Sequence, residues 1–156
     1  MTARLVLENL TLGIVLVCFT VLVQVWLSLF VVRLFRRLAP SVGSQPRFAI
    51  RVVAVTALIL AILLGHLAQV HIWALVFYLL AFFNDFWSAQ YFVGETYTTL
   101  GYGDLLLPPE RRMLAGWLAI TGLLMIGWST ALFAYLLTKY HDARMSAFEP
   151  GDRRRL

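Results

Sequence analysis

The stretch from Thr96 to Asp104 reads TYTTLGYGD and lies between two long apolar runs. Threonine, glycine, tyrosine and aspartate are poorly suited to lipid contact, so their position needs a chemical reason. Gly101 and Gly103 can adopt positive φ, which lets alternate residues turn their carbonyl groups toward a common axis. Rings of backbone carbonyls from several chains can replace the hydration shell of a potassium ion. The residue types therefore suit a cation site of backbone oxygens, and Thr99 adds a side-chain oxygen at the inner end of the row.

The composition places this stretch in a membrane protein. Hydrophobic residues make up 61% of the chain and charged residues only 13%, which is more apolar than a soluble domain of this size. A transmembrane helix needs about 20 mainly apolar residues. Three runs are long enough, namely Leu10 to Val32, Ile50 to Val70 and Met113 to Leu137. We therefore predict an all-α membrane protein with three transmembrane helices.

Basic residues predict the orientation of the spans, because arginine and lysine accumulate on the cytoplasmic side of short loops. They cluster in the first connection and in the tail, at Arg33, Arg36, Arg37, Arg47, Arg51, Lys139, Arg144, Arg153, Arg154 and Arg155. We expect the N-terminus outside and the C-terminus in the cytoplasm. These flanks account for the net charge of +5, so no nucleic-acid partner is expected. The basic tail is interpreted as a solvated flank, with contact to anionic lipid as the alternative.

The connection between the second and third spans predicts a re-entrant helix. Asn84 or Asp85 supplies an N-cap signal, and a short helix from about Phe86 to Thr98 follows. Such a helix is too short to cross a bilayer, and irregular backbone at membrane depth is tolerated only when it is buried in protein or lines a water-filled cavity. The preceding residues 72–83 either extend the second helix outward or lie in the outer interface.

The block from Tyr91 to Asp104, with TTLGYGD at its end, resembles the pore helix and selectivity filter of potassium channels. The order of second span, short helix, filter and last span is also similar to the two-helix pore module of that family, here of a small bacterial type with an extra N-terminal span. The resemblance implies a potassium-selective homotetramer in the bacterial inner membrane, with K⁺ as the permeant ion and no other cofactor or metal. It also implies the filter residues that bind K⁺, which are Thr99, Leu100, Gly101, Tyr102 and Gly103.

The resemblance further implies which residues support the filter, and these are Glu95, Asp104, Tyr91 and Phe92. Tyr91 and Phe92 stand where the family often has tryptophans. Two carboxyl groups in one poorly solvated pocket do not both ionise cheaply, so we predict that Glu95 and Asp104 share a proton. The alternative is that Glu95 accepts hydrogen bonds from filter amides or from an ordered water.

In the last span, Gly122 and Gly127 match glycine positions where the inner helices of the family bend. Small residues also allow close packing of membrane helices, and this second interpretation applies equally to each glycine. Continuing the register predicts the residues that line the cavity, which are Leu123, Ile126, Thr130 and Ala134.

The predicted organisation is an accessory transmembrane helix over 1–35, a cytoplasmic linker over 36–47, a pore module over 48–140 and a short basic tail over 141–156. Two rivals to a potassium channel are a weakly selective cation channel and a non-conducting membrane partner or scaffold. An enzyme is not expected, because no nucleophile with a base and no metal-ligand cluster lies at membrane depth. His66 and His71 are five residues apart, which is poor spacing for one helical face, so structural histidines are favoured over a metal site.

Overall fold

The computed structural model describes residues 3–38 and 48–148 and places most of them in four α-helices. These helices are α1 (Ala3–Leu38), α2 (Phe48–Leu79), α3 (Phe86–Tyr97) and α4 (Met113–Phe148), and a short 3-10 turn covers Pro109–Arg111. The described part of the chain contains no strand, so the predicted all-α class is confirmed. Most of the predicted linker, residues 39–47, and the end of the tail lie outside the described residues.

Three of the helices, α1, α2 and α4, are long and apolar enough to cross a membrane. They are longer than the apolar runs that predict them, because α1 continues to Leu38, α2 to Leu79 and α4 to Phe148. Residues 72–79 therefore extend the second helix, which decides between the two alternatives that the sequence left open.

The end of α2 is a Schellman turn, the hydrogen-bonded cap in which one residue adopts the left-handed conformation. The Phe82 amide donates to the Phe77 carbonyl over 3.0 Å, and the Ala81 amide donates to the Tyr78 carbonyl over 2.9 Å. Ala81 has φ of 55°. The rings of Phe77 and Phe82 pack with centroids 5.5 Å apart, which is the apolar contact that often accompanies this cap.

Asp85 is the N-cap of α3, so it is the one of the two predicted candidates that starts the helix. Its carboxylate accepts hydrogen bonds from the Ser88 amide at 2.9 Å and from the Ser88 hydroxyl at 2.7 Å. The hydrogen bond from the Ser88 hydroxyl lowers the pKa of Asp85 most, and the hydrogen bond from the Ser88 amide lowers it further. The carboxylate therefore stays ionised as a cap at neutral pH, and α3 covers Phe86–Tyr97, close to the predicted range.

The helix α1 packs closely on both α2 and α4 through small residues. A methyl group at Gly65 of α2 would collide with the Leu27 side chain of α1, and a methyl group at Gly13 of α1 would lie 3.1 Å from the Trp117 ring of α4. Glycine at these positions allows the helix axes to approach each other, as in other membrane helix pairs. The first helix therefore forms one packed unit with α2 and α4.

A polar cluster, which we call the N-terminal clasp, joins the start of α1 to the start of α4. The Asn9 amide donates to the Glu110 carbonyl at 2.6 Å, and Arg111 donates to Asn9 at 2.8 Å and to Glu8 at 3.2 Å. The two helices consequently run in the same direction, so the start of α1 and the connection that follows α3 lie on one side of the membrane.

Candidate functional site: an ion filter at the end of α3

A second Schellman turn ends α3 and opens the candidate filter. The Thr99 amide donates to the Thr96 carbonyl over 3.0 Å, and the Leu100 amide donates to the Glu95 carbonyl over 2.8 Å. The left-handed position of this cap is occupied by Thr99, with φ of 60°. Glycine is the usual residue there, and positive φ is costly for a β-branched side chain. Thr99 therefore carries backbone strain that helix capping alone does not require.

Positive φ recurs at every second residue after the end of α3. The values are 60° at Thr99, 55° at Gly101 and 78° at Gly103, whereas Leu100 and Tyr102 between them lie outside this region. The two glycines adopt this conformation without the penalty that a side chain would bring. The backbone therefore alternates in handedness along the five predicted ion ligands.

Glu95 accepts hydrogen bonds from the amide groups of the candidate filter. Its carbonyl accepts from the Leu100 amide at 2.8 Å and from the Gly101 amide at 3.3 Å, and its carboxylate accepts from the Tyr102 amide at 3.2 Å. A trans peptide places the carbonyl of one residue opposite the amide of the next. The carbonyls of Thr99, Leu100 and Gly101 therefore point away from α3, which creates a row of backbone oxygens on the far side of the segment.

The face that carries this row is open in a single chain. Residues 99–104 are all exposed, and the exposed fraction reaches 57% for Leu100 and 70% for Tyr102. Glu95 behind them is only 5% exposed. The oxygen row is thus accessible to an ion and to other chains, while its support is buried.

Asp104 and Glu95 accept hydrogen bonds from different donors, and the sharing of a proton between them stays a prediction. Asp104 accepts from the Tyr91 hydroxyl at 3.0 Å and from the Leu105 amide at 3.1 Å, while the Glu95 carboxylate accepts from the Tyr102 amide. The structure therefore matches the alternative interpretation, in which Glu95 accepts from a filter amide.

Phe92 braces α3 by packing alone. It is 3% exposed, and its ring centroid lies 5.2 Å from that of Phe83 and 6.3 Å from that of Phe77. The second predicted brace, Tyr91, acts instead through its hydroxyl on Asp104. The two adjacent aromatic residues thus support different parts of the segment.

Gly122 has a packing role in α4. A methyl group there would collide with the carbonyl of Tyr97 at the end of α3, whereas a methyl group at Gly127 would meet open space. The helix is continuous over Met113–Phe148. Close approach of α3 and α4 therefore explains Gly122, and bending at either glycine stays a prediction.

The predicted cavity-lining residues are all exposed in the single chain. Leu123 borders a groove of about 630 Å³ together with Gly127. Ile126 and Thr130 border a second groove, of about 270 Å³, between α2 and α4, and Ala134 lies further along the same helix. Their lining of a common cavity stays a prediction.

His66 and His71 have different surroundings. His66 lies 2.9 Å from the Tyr97 hydroxyl and 3.0 Å from the Ser129 hydroxyl through its two ring nitrogens, whereas His71 bonds only the nearby Leu67 carbonyl at 2.8 Å and lies 3.4 Å from Gln90. No group of three metal-ligating side chains occurs among the described residues. The sequence reasoning missed the polar partners of His66, although a buried serine or tyrosine at membrane depth is itself a signal of a required partner.

Comparison with known sequences agrees with this geometry. The sequence model of a family described as an ion channel matches residues 65–139, from the middle of α2 through α3 and the filter to the apolar part of α4. Searches of curated proteins and of solved structures found no match. The matched segment contains the short helix α3 between two membrane-length helices, and its similarity to an ion channel family indicates a channel and not an enzyme. Residues 65–139 of the chain are therefore similar to a family of ion channels.

Proposed function

We propose that the chain is a subunit of a potassium-selective channel, in which the backbone carbonyls of residues 99–103 and the Thr99 hydroxyl bind the permeant ion. The observation that carries this proposal is the alternating positive φ combined with the retention of the filter amides by Glu95. A row of neutral backbone oxygens suits a monovalent cation that has lost its water. No charged side chain stands within the row itself, which is TLGYG.

We further propose a homotetramer around a central ion path. One chain supplies one oxygen row, and a dehydrated potassium ion needs about eight oxygens, so two successive rings from four chains complete its shell. Closed cyclic symmetry is the common arrangement of membrane and soluble homo-oligomers. The exposed apolar side chains of α4, such as Leu123 and Leu124, supply surface for lipid or for neighbouring subunits.

In this arrangement the filter connection and the N-terminus face outside, and the tail faces the cytoplasm of a bacterial cell. The basic residues that flank the first connection and the tail support that orientation. The N-terminal clasp supports the common side of the first and last helix starts. Crosslinking in membranes should stop at four subunits.

Reversal potentials of the purified protein in liposomes test selectivity directly. We expect potassium and rubidium to permeate far better than sodium, and barium to block. Equal permeability of sodium and potassium would instead indicate the weakly selective cation channel. A tetramer that passes no ion would indicate the non-conducting partner.

A matched pair of substitutions tests the backbone origin of selectivity. An added methyl group meets open space at both Gly101 and Gly94, but only Gly101 has positive φ. The left-handed conformation costs an alanine about 1–2 kcal/mol, so Gly101→Ala should lower the potassium to sodium permeability ratio by about tenfold or more. Gly94→Ala, within α3, should leave the ratio unchanged. An equal ratio in both variants would contradict the proposed role of alternating φ.

A further inference from the structure

Five polar side chains from all four helices form a closed ring of hydrogen bonds behind the candidate filter. Gln24 donates to Ser129 at 2.8 Å, Gln69 donates to Gln24 at 2.8 Å, and Tyr97 donates to Gln69 at 2.6 Å. His66 completes the ring, at 2.9 Å from the Tyr97 hydroxyl and 3.0 Å from the Ser129 hydroxyl. We call this set the polar ring.

The directions of these bonds determine the form of His66. The Tyr97 hydroxyl gives its only proton to Gln69, so its oxygen accepts from Nδ1–H of His66. Ser129 accepts from Gln24 and donates its own proton to Nε2 of His66. Every member thus donates one bond and accepts one around the polar ring. A neutral imidazole with the proton on Nδ1 fits this pattern.

His66 is half-buried beside the groove between α2 and α4, and the other four members of the polar ring are buried at membrane depth. The exposed fractions are 1% for Gln24, Gln69 and Tyr97 and 4% for Ser129. Water is scarce there, so a group that loses its partner has no ready replacement. Removing one member leaves a donor and an acceptor unpaired, which makes the remaining bonds sensitive to each single side chain.

Tyr97 connects the polar ring to the filter. It is the last residue of α3 and precedes Thr99 by two positions. Its hydroxyl is a ring member, while its carbonyl lies against Gly122 of α4. Contacts of the Tyr97 side chain and of the Tyr97 backbone therefore fix the position of the end of α3. The oxygen row begins two residues later.

We propose that Gln24 of the first helix is a positioning residue for the ion filter, acting through the polar ring on Tyr97. The inference rests on the proposed function, because it takes the segment after α3 to be the filter. It assigns the N-terminal helix a part in ion selection beyond crossing the membrane. Gln24 is the only described α1 residue in the polar ring, and it bridges α2 and α4.

Thr20 provides a matched control one helical turn away. Its hydroxyl oxygen accepts a hydrogen bond from the Trp73 indole at 2.8 Å, and its exposed fraction is 2%. This bond also joins α1 to α2 in the buried region, but it does not include Tyr97. A general role of α1 in holding the bundle together predicts similar effects at Thr20 and Gln24, whereas a positioning role predicts different ones.

The test compares Gln24→Leu with Thr20→Val in liposomes. An unpaired buried group typically shifts an equilibrium by about tenfold, so we expect Gln24→Leu to lower potassium flux about tenfold and Thr20→Val to retain it. The second readout is the ¹⁵N NMR signal of His66. It should show the Nδ1–H form in the wild type and in Thr20→Val, and a mixture of forms in Gln24→Leu.

Gln24→Glu keeps the test decisive if Gln24→Leu fails to assemble. A protonated carboxyl donates one bond and accepts one, as the amide does, while the ionised form only accepts. Flux through Gln24→Glu, relative to the wild type at the same pH, should therefore fall as the pH rises. A pH-independent ratio would overturn the proposal.

The proposal is also overturned if Gln24→Leu and Thr20→Val lower the flux equally, or if the His66 signal is the same in Gln24→Leu as in the wild type. Its failure is distinguishable from that of the proposed function. If only the role of Gln24 is wrong, the wild type conducts potassium but the variants do not differ as expected. If the proposed function is wrong, the wild type itself passes no ion or fails to select potassium.

Discussion

The ends of α2 and α3 are the same backbone turn with different side chains. Both are Schellman turns with a residue other than glycine at positive φ, Ala81 in one and Thr99 in the other. After α2, Phe82 packs on the helix it has just left. After α3, the equivalent Leu100 is exposed, and the helix presents the Glu95 carboxylate instead of an apolar side chain. The cap geometry is therefore common to both ends, and they differ in the side chain of the residue whose carbonyl closes the turn, which is Phe77 in α2 and Glu95 in α3.

The largest effect on ion selectivity is expected when Glu95 is replaced by an apolar residue, since its counterpart in α2 is the apolar Phe77. Glu95→Leu preserves the backbone cap but removes the bond from the Tyr102 amide to a carboxylate, and a bond of this kind contributes about 1.5–3 kcal/mol. We expect the potassium to sodium permeability ratio to fall by tenfold or more. Glu95→Gln retains an acceptor oxygen and should keep most of the selectivity. Reversal potentials measure both, and an unchanged ratio in Glu95→Leu would show that the two ends do not differ functionally.

A smaller effect is expected at Gly122 of α4, which contacts the end of α3 but not the end of α2. Gly122→Ala drives a methyl group into the Tyr97 carbonyl, and overpacking of this kind costs about 1–3 kcal/mol. We expect lower thermal stability and altered selectivity together, because the displaced backbone leads into the filter. Gly127→Ala, where the added methyl group has space, is the control. A Gly122→Ala channel that changes only its open probability would favour bending of α4 over packing.

The smallest effect is expected at the end of α2, where Ala81 has positive φ but is not one of the predicted ion ligands. Ala81→Gly removes the conformational penalty of the left-handed residue and should raise the free energy of unfolding by about 1 kcal/mol. Selectivity should stay at the wild-type value. Thermal unfolding and reversal potentials on the same preparation check both parts. A change in selectivity would mean that the two turns are coupled.

Local signals in the sequence predicted much of the region around the filter. The capping residues before Phe86 and the glycine spacing after Thr99 depend only on neighbours in the chain, and the bounds of α3 agree with them to within one residue. The end of α2 was less determined, because an apolar run continues past it and Ala81 is not a residue that usually marks a helix end.

The omissions concern side chains that meet across helices. The sequence did not reveal that the Tyr102 amide donates to Glu95 and the Tyr91 hydroxyl donates to Asp104. The polar ring was missed because it depends on the relative rotation of four helices. Sequence spacing within α2 separates His66 from His71 but does not reveal that His66 faces Tyr97.

The open face of residues 99–104 has a consequence for biosynthesis. A subunit that reached the bilayer alone would present its outward-turned carbonyls to lipid, where each unsatisfied backbone group costs several kcal/mol. In the proposed tetramer, neighbouring subunits and bound ions remove that cost. Insertion of the chain and its association with further copies are therefore expected to be linked events.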